Sequence, residues 1–149
     1  MQVKDIMTSN VRTVTPDQKL GEVVSLMCLY RYSGIPVVDG GELKGIVAES
    51  DVLRNMFPRL EDLMDRMKSV NYDEQVNQYA NVVHLAVKDI MTPAVVTIRP
   101  DAHILQAASI MVGRKFRRIP VAEGKQLVGM LSLGDVHKAI FQSTLATKL

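Results

Sequence analysis

Val3-Lys4-Asp5-Ile6-Met7-Thr8 recurs unchanged as Val87-Lys88-Asp89-Ile90-Met91-Thr92, and the chain between and beyond keeps the same register. Ser33-Gly34-Ile35-Pro36-Val37 is matched by Arg117-Arg118-Ile119-Pro120-Val121. Gly45-Ile46-Val47-Ala48-Glu49-Ser50-Asp51 is matched by Gly129-Met130-Leu131-Ser132-Leu133-Gly134-Asp135. Every one of these pairs stands 84 residues apart, without a gap. An internal repeat in strict register restricts the fold more than any other feature here: the chain is two copies of one supersecondary unit.

Each copy reads in the same order. Val11-Arg12-Thr13-Val14 and Val95-Val96-Thr97-Ile98 alternate as short strands do. Thr15-Pro16-Asp17 and Arg99-Pro100-Asp101 then place proline and an acid where helix starts favour them. The first helix of copy one carries Leu20, Val23, Val24, Met27 and Tyr30 on one face; copy two carries Ile104, Ala107, Ala108 and Met111. Two further strands follow, joined by Asp39-Gly40-Gly41 in copy one and Glu123-Gly124-Lys125-Gln126 in copy two, both hairpin signals. A second helix opens near Asp51 and near Asp135. The unit is β-α-β-β-α.

The organisation along the chain is therefore repeat 1 over 1–56, a helical connector over 57–86 and repeat 2 over 87–149. In the connector, Leu60, Leu63, Met64 and Met67 form one apolar stripe, and Val76, Tyr79, Ala80 and Val83 a second. Ser69-Val70-Asn71 separates them, with Asp73 and Glu74 as helix-starting residues. A connector packed on the domain is preferred over a dimer contact or a docking surface.

At 149 residues the chain is one domain, or two small halves sharing a core. A hydrophobic share of 47% points to a globular protein. No apolar run reaches the roughly 18 residues of a membrane span, and Met1-Gln2-Val3-Lys4-Asp5 does not open like a signal peptide. The one cysteine, Cys28, cannot form an internal disulfide and is expected to be buried. These features lead to a cytoplasmic expectation. The net charge of +2 does not by itself call for nucleic acid or membrane.

Catalytic signals are poor. His84, His103 and His137 are scattered away from metal-ligand spacing, and no glycine-rich phosphate loop is present. Met27, Met64, Met67, Met111 and Met130 fall at apolar positions and read as core. What remains is the pair Ser132 and Asp135 with Arg117 and Arg118. A carboxylate at a strand-to-helix junction can accept hydrogen bonds from both ribose hydroxyls, and a serine hydroxyl can add another. Helix-start amides and guanidinium groups suit a phosphate. Asp and Ser ahead of a helix are also ordinary N-caps. Gly, Asp and the upstream Ile-Pro-Val nevertheless recur together in both copies, which capping alone would not require.

With Val-Lys-Asp-Ile-Met-Thr opening each copy, Ile-Pro-Val within it and Gly-x-x-x-x-x-Asp closing it, the sequence resembles tandem cystathionine-β-synthase (CBS) domains, the Bateman module. The resemblance covers nearly all of the chain outside the connector. It implies an α/β (α+β) fold of two repeats packed with pseudo-twofold symmetry, with two clefts, each combining the Ser/Thr and Asp of one repeat with the opening segment of the other. It also implies adenosine ligands: AMP, ADP or ATP, with S-adenosylmethionine and NAD bound by some members. The main cleft would then comprise Thr8, Val11, Arg117, Arg118, Ile119, Pro120, Ser132 and Asp135. The second would comprise Ser33, Gly34, Ile35, Pro36, Asp51, Thr92 and Val95, and is expected to be weaker because Ala48 stands where copy two has Ser132.

The expected function is a non-catalytic regulatory module, a homodimer without metal or catalytic cofactor, that binds an adenosine nucleotide and signals to a partner protein. The alternative is a ligand-free interaction and dimerisation module. A small nucleic-acid binder using the cluster from Arg114 to Arg118 is weaker, since one basic patch comes without aromatic platforms.

Overall fold

The computed structural model describes residues 1–56 and 71–148. The stripe expected on Leu60, Leu63, Met64 and Met67 lies outside the described residues. Helices and strands follow in the order α1 (Val3–Ile6), α2 (Leu20–Tyr30), β1 (Gly34–Asp39), β2 (Glu42–Ala48), α3 (Glu49–Arg54), α4 (Tyr72–Val82), α5 (Val87–Ile90), α6 (Ile104–Arg114), β3 (Arg118–Glu123), β4 (Gln126–Ser132) and α7 (Leu133–Lys148). This is a mixed α/β fold with antiparallel pairing. Among the described residues no helix is long and apolar enough to cross a membrane.

The repeated opening run is a single helical turn, and its residue types explain why. Val3 and Val87 are fully buried. Asp5 accepts the Gln2 amide at 2.8 Å and Asp89 accepts the Ala86 amide at 3.0 Å, so each acid satisfies a backbone donor just ahead of its turn.

The strands expected at Val11–Val14 and Val95–Ile98 do not form. Each is reduced to one parallel bridge, Val14 to Val37 and Ile98 to Val121. Val14 donates to the Pro36 carbonyl at 3.0 Å and accepts from Val38 at 2.8 Å; Ile98 makes the same pair with Pro120 and Ala122. Proline stops the ladder on both sides. Pro36 and Pro120 have no N–H to carry it back along the chain, and Pro16 and Pro100 have none to carry it forward.

The first long helix of each copy also starts later than its proline suggests. Thr15 to Gln18 is a turn closed by Gln18 N–H to the Thr15 carbonyl, at 3.3 Å, and α2 begins at Leu20. His103 caps α6, its Nδ1 accepting the Leu105 amide at 3.1 Å. Leu20, Val23 and Met27 are buried as the periodicity requires, and so are Ile104, Ala107 and Met111. Tyr30 is exposed and stacks on Tyr32, with ring centroids 5.8 Å apart. Cys28 is exposed too, against expectation, because it follows Met27 by one residue and stands about 100° round the helix.

The hairpin signals hold. Gly40 and Gly41 take φ of 59° and 82°, and Gly124 takes 60°, conformations that only glycine adopts without cost. Asn71 caps α4, accepting from Asp73 and Glu74. Along α4 the buried residue is Val82 and Val76 is exposed, so the apolar face is narrower and rotated relative to the expected stripe.

Two compact units emerge, and they do not coincide with the sequence repeats. One comprises Met1–Arg12, Gly40–Leu43 and the described residues from Val95 onward; the other comprises Thr13–Asp39 and the described part of Lys44–Ala94. Each has its own core. In the first, Val3 packs with Ile98, Ile104, Ala107, Met111, Ile119, Val121, Leu131 and Val136. In the second, Val87 and Ile90 pack with Val14, Leu20, Val23, Met27, Ile35, Val37, Val47 and Val52. The opening turn of each copy thus completes the core built by the body of the other.

Candidate functional site

In the first unit the site grows from the β3–β4 hairpin. Arg118 stands directly across the antiparallel ladder from Ser132, and Ile119 from Leu131. The Arg117 carbonyl accepts the Leu133 amide at 2.8 Å, which fixes the start of α7 beside the start of β3. Thr8 is held against β4 by a reciprocal pair with Met130, both bonds 2.9 Å. Gly129 permits that approach: a Cβ there would stand 2.8 Å from the Thr8 carbonyl and 2.7 Å from the Met7 sulfur. This is the physical content of the repeated glycine.

Ser132 and Asp135 form a reciprocal cap. The Ser132 amide donates to Asp135 Oδ2 at 3.1 Å, and the Asp135 amide donates to Ser132 Oγ at 3.0 Å. Beside them lies an open depression of about 430 Å³ lined by Arg117, Arg118, Ser132, Leu133, Gly134 and His137. Its lining carries two guanidinium groups, an imidazole and a hydroxyl, and no carboxylate. Such a surface suits an anion.

Of the expected main-cleft residues, the structure brings Arg117, Arg118 and Ser132 together in the depression, with Asp135 joined to Ser132 and Thr8 held two residues away on β4. Val11 belongs to the same unit and is half-buried. Ile119 and Pro120 are buried, Ile119 completely, so they position Arg118 and leave no side chain open to a ligand. Leu133, Gly134 and His137 were not singled out from the sequence. The signal was there for His137: it stands three and four residues beyond Gly134 and Leu133, on the same helix face.

The corresponding place in the second unit is built differently. Asp51 is almost fully buried and its carboxylate is occupied. It accepts the Ala48 amide at 2.9 Å, Arg54 Nη1 at 3.3 Å and Thr92 Oγ1 at 3.5 Å. Thr92 pairs with Ile46 as Thr8 does with Met130, and Gly45 again makes room, a Cβ there falling 2.6 Å from the Thr92 carbonyl. Ala48 has no hydroxyl to return a bond. Ser33 accepts the Glu49 amide through its carbonyl at 3.0 Å. Gly34 is half-buried, Ile35 and Pro36 are buried, and Val95 falls in the other unit. A smaller cavity of about 120 Å³ in this unit is lined by Val24, Met27, Cys28, Glu49, Val52, Leu53 and Tyr79. Burial pushes the Tyr79 hydroxyl pKa up, and the neighbouring Cys28 adds to it.

Two in-register copies, each with a hairpin, a closing helix and the opening turn of its counterpart, define a tandem two-copy module. The family model for the CBS domain matches residues 3–58 and 87–142, and the chain belongs to the CBS-domain family, with two copies. It is 31% identical to the CBS domain-containing protein YhcV of Bacillus subtilis over 134 residues, 90% of this chain and 81% of that one. It is 30% identical over 154 residues to the uncharacterized protein MJ1426 of Methanocaldococcus jannaschii, covering 94% and 91%. Among solved structures, that of CBSX2, a protein of Arabidopsis thaliana, in complex with AMP superimposes with a TM-score of 0.74 at 26% identity, covering 96% and 98%.

Proposed function

We propose that this protein is a non-catalytic regulatory module that binds an adenosine nucleotide (AMP, ADP or ATP) at Arg117, Arg118, Ser132 and Asp135, with Thr8 and Val11 completing the site, and signals to a partner protein as a homodimer. The observation that carries this reading is the depression on Arg117, Arg118 and Ser132, with the Asp135 carboxylate 3.1 Å from the Ser132 amide. The two guanidinium groups take the phosphate end; Asp135 takes the ribose hydroxyls, with Ser132 beside it. The AMP held by CBSX2 supports the ligand class. Binding biases the population of conformers that the partner reads. The Asp51 place is the weaker site, since Arg54 and Thr92 already share its carboxylate.

One observation favours a second reading. The reciprocal bonds of Ser132 and Asp135 account for both residues as a helix cap, as a ligand-free interaction module would need. A thermal-shift panel of AMP, ADP, ATP, S-adenosylmethionine and NAD separates the two. A ligand at about 100 times its Kd adds roughly 2.7 kcal/mol of stability. Asp135→Ala lowers the starting stability through the lost cap, by about 0.5–2 kcal/mol, so the quantity compared is the ligand-induced rise. A rise with an adenosine phosphate that disappears in Asp135→Ala supports the sensor. No rise with any of the five supports the ligand-free module.

A further inference from the structure

We propose that His137 selects for the length of the phosphate chain, so that the depression on Arg117 and Arg118 prefers a nucleoside di- or triphosphate over the monophosphate. This rests on the nucleotide reading above and deepens it. Arg118 and Ser132 face each other across the β3–β4 ladder, and Arg117 adjoins them; these three groups sit at the helix start, where one phosphate suffices to engage them. His137 lines the same depression from farther along α7, about 4.5 Å beyond Gly134 on the helix axis.

A phosphomonoester group carries about −1.5 to −2 charges at neutral pH, and two guanidinium groups match that. An exposed imidazole, able to donate a hydrogen bond, adds a third group to the lining, set farther along α7 than the helix start where Arg117 and Arg118 hold the first phosphate. Longer chains extend into it. The volume of about 430 Å³ leaves room for them, and the adjoining carboxylate, Asp135, is engaged by the Ser132 amide. In the second unit the residue at the matching position is Leu53, which offers no such group.

Isothermal titration of AMP, ADP and ATP into the full chain, as wild type, His137→Gln and His137→Ala, tests this. His137 is exposed, so both variants are expected to fold. The wild type should bind ATP more tightly than AMP. His137→Ala should weaken ATP roughly 10- to 100-fold, the scale of one hydrogen bond to a charged group, and leave AMP unchanged. His137→Gln, which keeps a donor without the ring, should fall between. An ATP-to-AMP ratio in His137→Ala equal to that of the wild type overturns the inference, and so does an equal loss for both ligands. Those outcomes leave the nucleotide site standing. Wild-type protein that binds none of the three overturns the nucleotide reading itself.

Discussion

Gly129 and Gly45 show how one hydrogen atom in place of a side chain can position a site. The Thr8 carbonyl would lie 2.8 Å from a Cβ at 129, and the Thr92 carbonyl 2.6 Å from one at 45, so backbone must move to admit a methyl group. Gly129→Ala should therefore cost about 1–3 kcal/mol, the usual range for overpacking. Gly113→Ala is the matched control. It lies in α6 with nothing within 4 Å of the added carbon and should stabilise by up to about 1 kcal/mol. Denaturant melts of both variants give the comparison; similar signs would contradict the steric argument. A second residue-scale effect concerns charge. Arg99 donates to Asp101 at 3.1 Å and holds its carboxyl below the ordinary value, chiefly through that hydrogen bond and then through its charge. A depressed folded-state pKa means stability present at neutral pH and lost as pH falls through the lowered value. Both partners are largely exposed, so salt screens the effect. The Tm difference between wild type and Asp101→Asn should be small, greatest at neutral pH and low salt, and should vanish on acidification. A difference that grew in acid would reverse the sign.

At the scale of elements, α4 is held mainly by its start. Asn71 accepts from the Asp73 and Glu74 amides, while along the helix Val82 is the buried residue and Tyr79 is partly buried against the same core. With little apolar burial to compensate, the cap matters more than it would in α2 or α6. Asn71→Ala should destabilise the helix by about 0.5–2 kcal/mol, seen as faster hydrogen exchange across α4 with the amides of α6 unaffected. Equal exchange in the variant and wild type would place the helix's stability elsewhere. The helix start was legible in advance from Asp73 and Glu74; Asn71 reads in the sequence only as part of the separating stretch. The shortened segments at Val14 and Ile98 were misread as strands. Alternation of apolar residues describes which side chains point inward, but a ladder needs donors, and the prolines that remove them come from two different stretches of the chain.

For the whole molecule the decisive feature is the exchange of opening turns. Val3, at the start of copy one, is buried in the core of Ile98, Ile104, Ile119 and Leu131, all from copy two. Val3→Ala should cost roughly 2 kcal/mol, from about 0.8 kcal/mol per buried methylene plus the void left. Its mark in hydrogen exchange should fall on α6 and β4 rather than on α2, although α2 is nearer in sequence. Protection lost in α2 instead would contradict the division into these two cores. The same exchange brings Thr8 to β4 and Thr92 to β2, close to the carboxylates that close each copy.

Local spacing already specifies the two-copy plan, the buried face of α6 and, Tyr30 apart, that of α2, the glycine turns, and the pairing of Ser132 with Asp135. Each of these follows from local spacing or from a residue's own conformational range. The burial of Ile119 and Pro120, the filling of the Asp51 carboxylate by Arg54 and Thr92, and the place of His137 beside Arg117 and Arg118 were decided only in three dimensions. The reason is common to them. Burial and partnership depend on what the rest of the chain brings to a residue, and a repeat in perfect register does not require its two copies to meet the same neighbours.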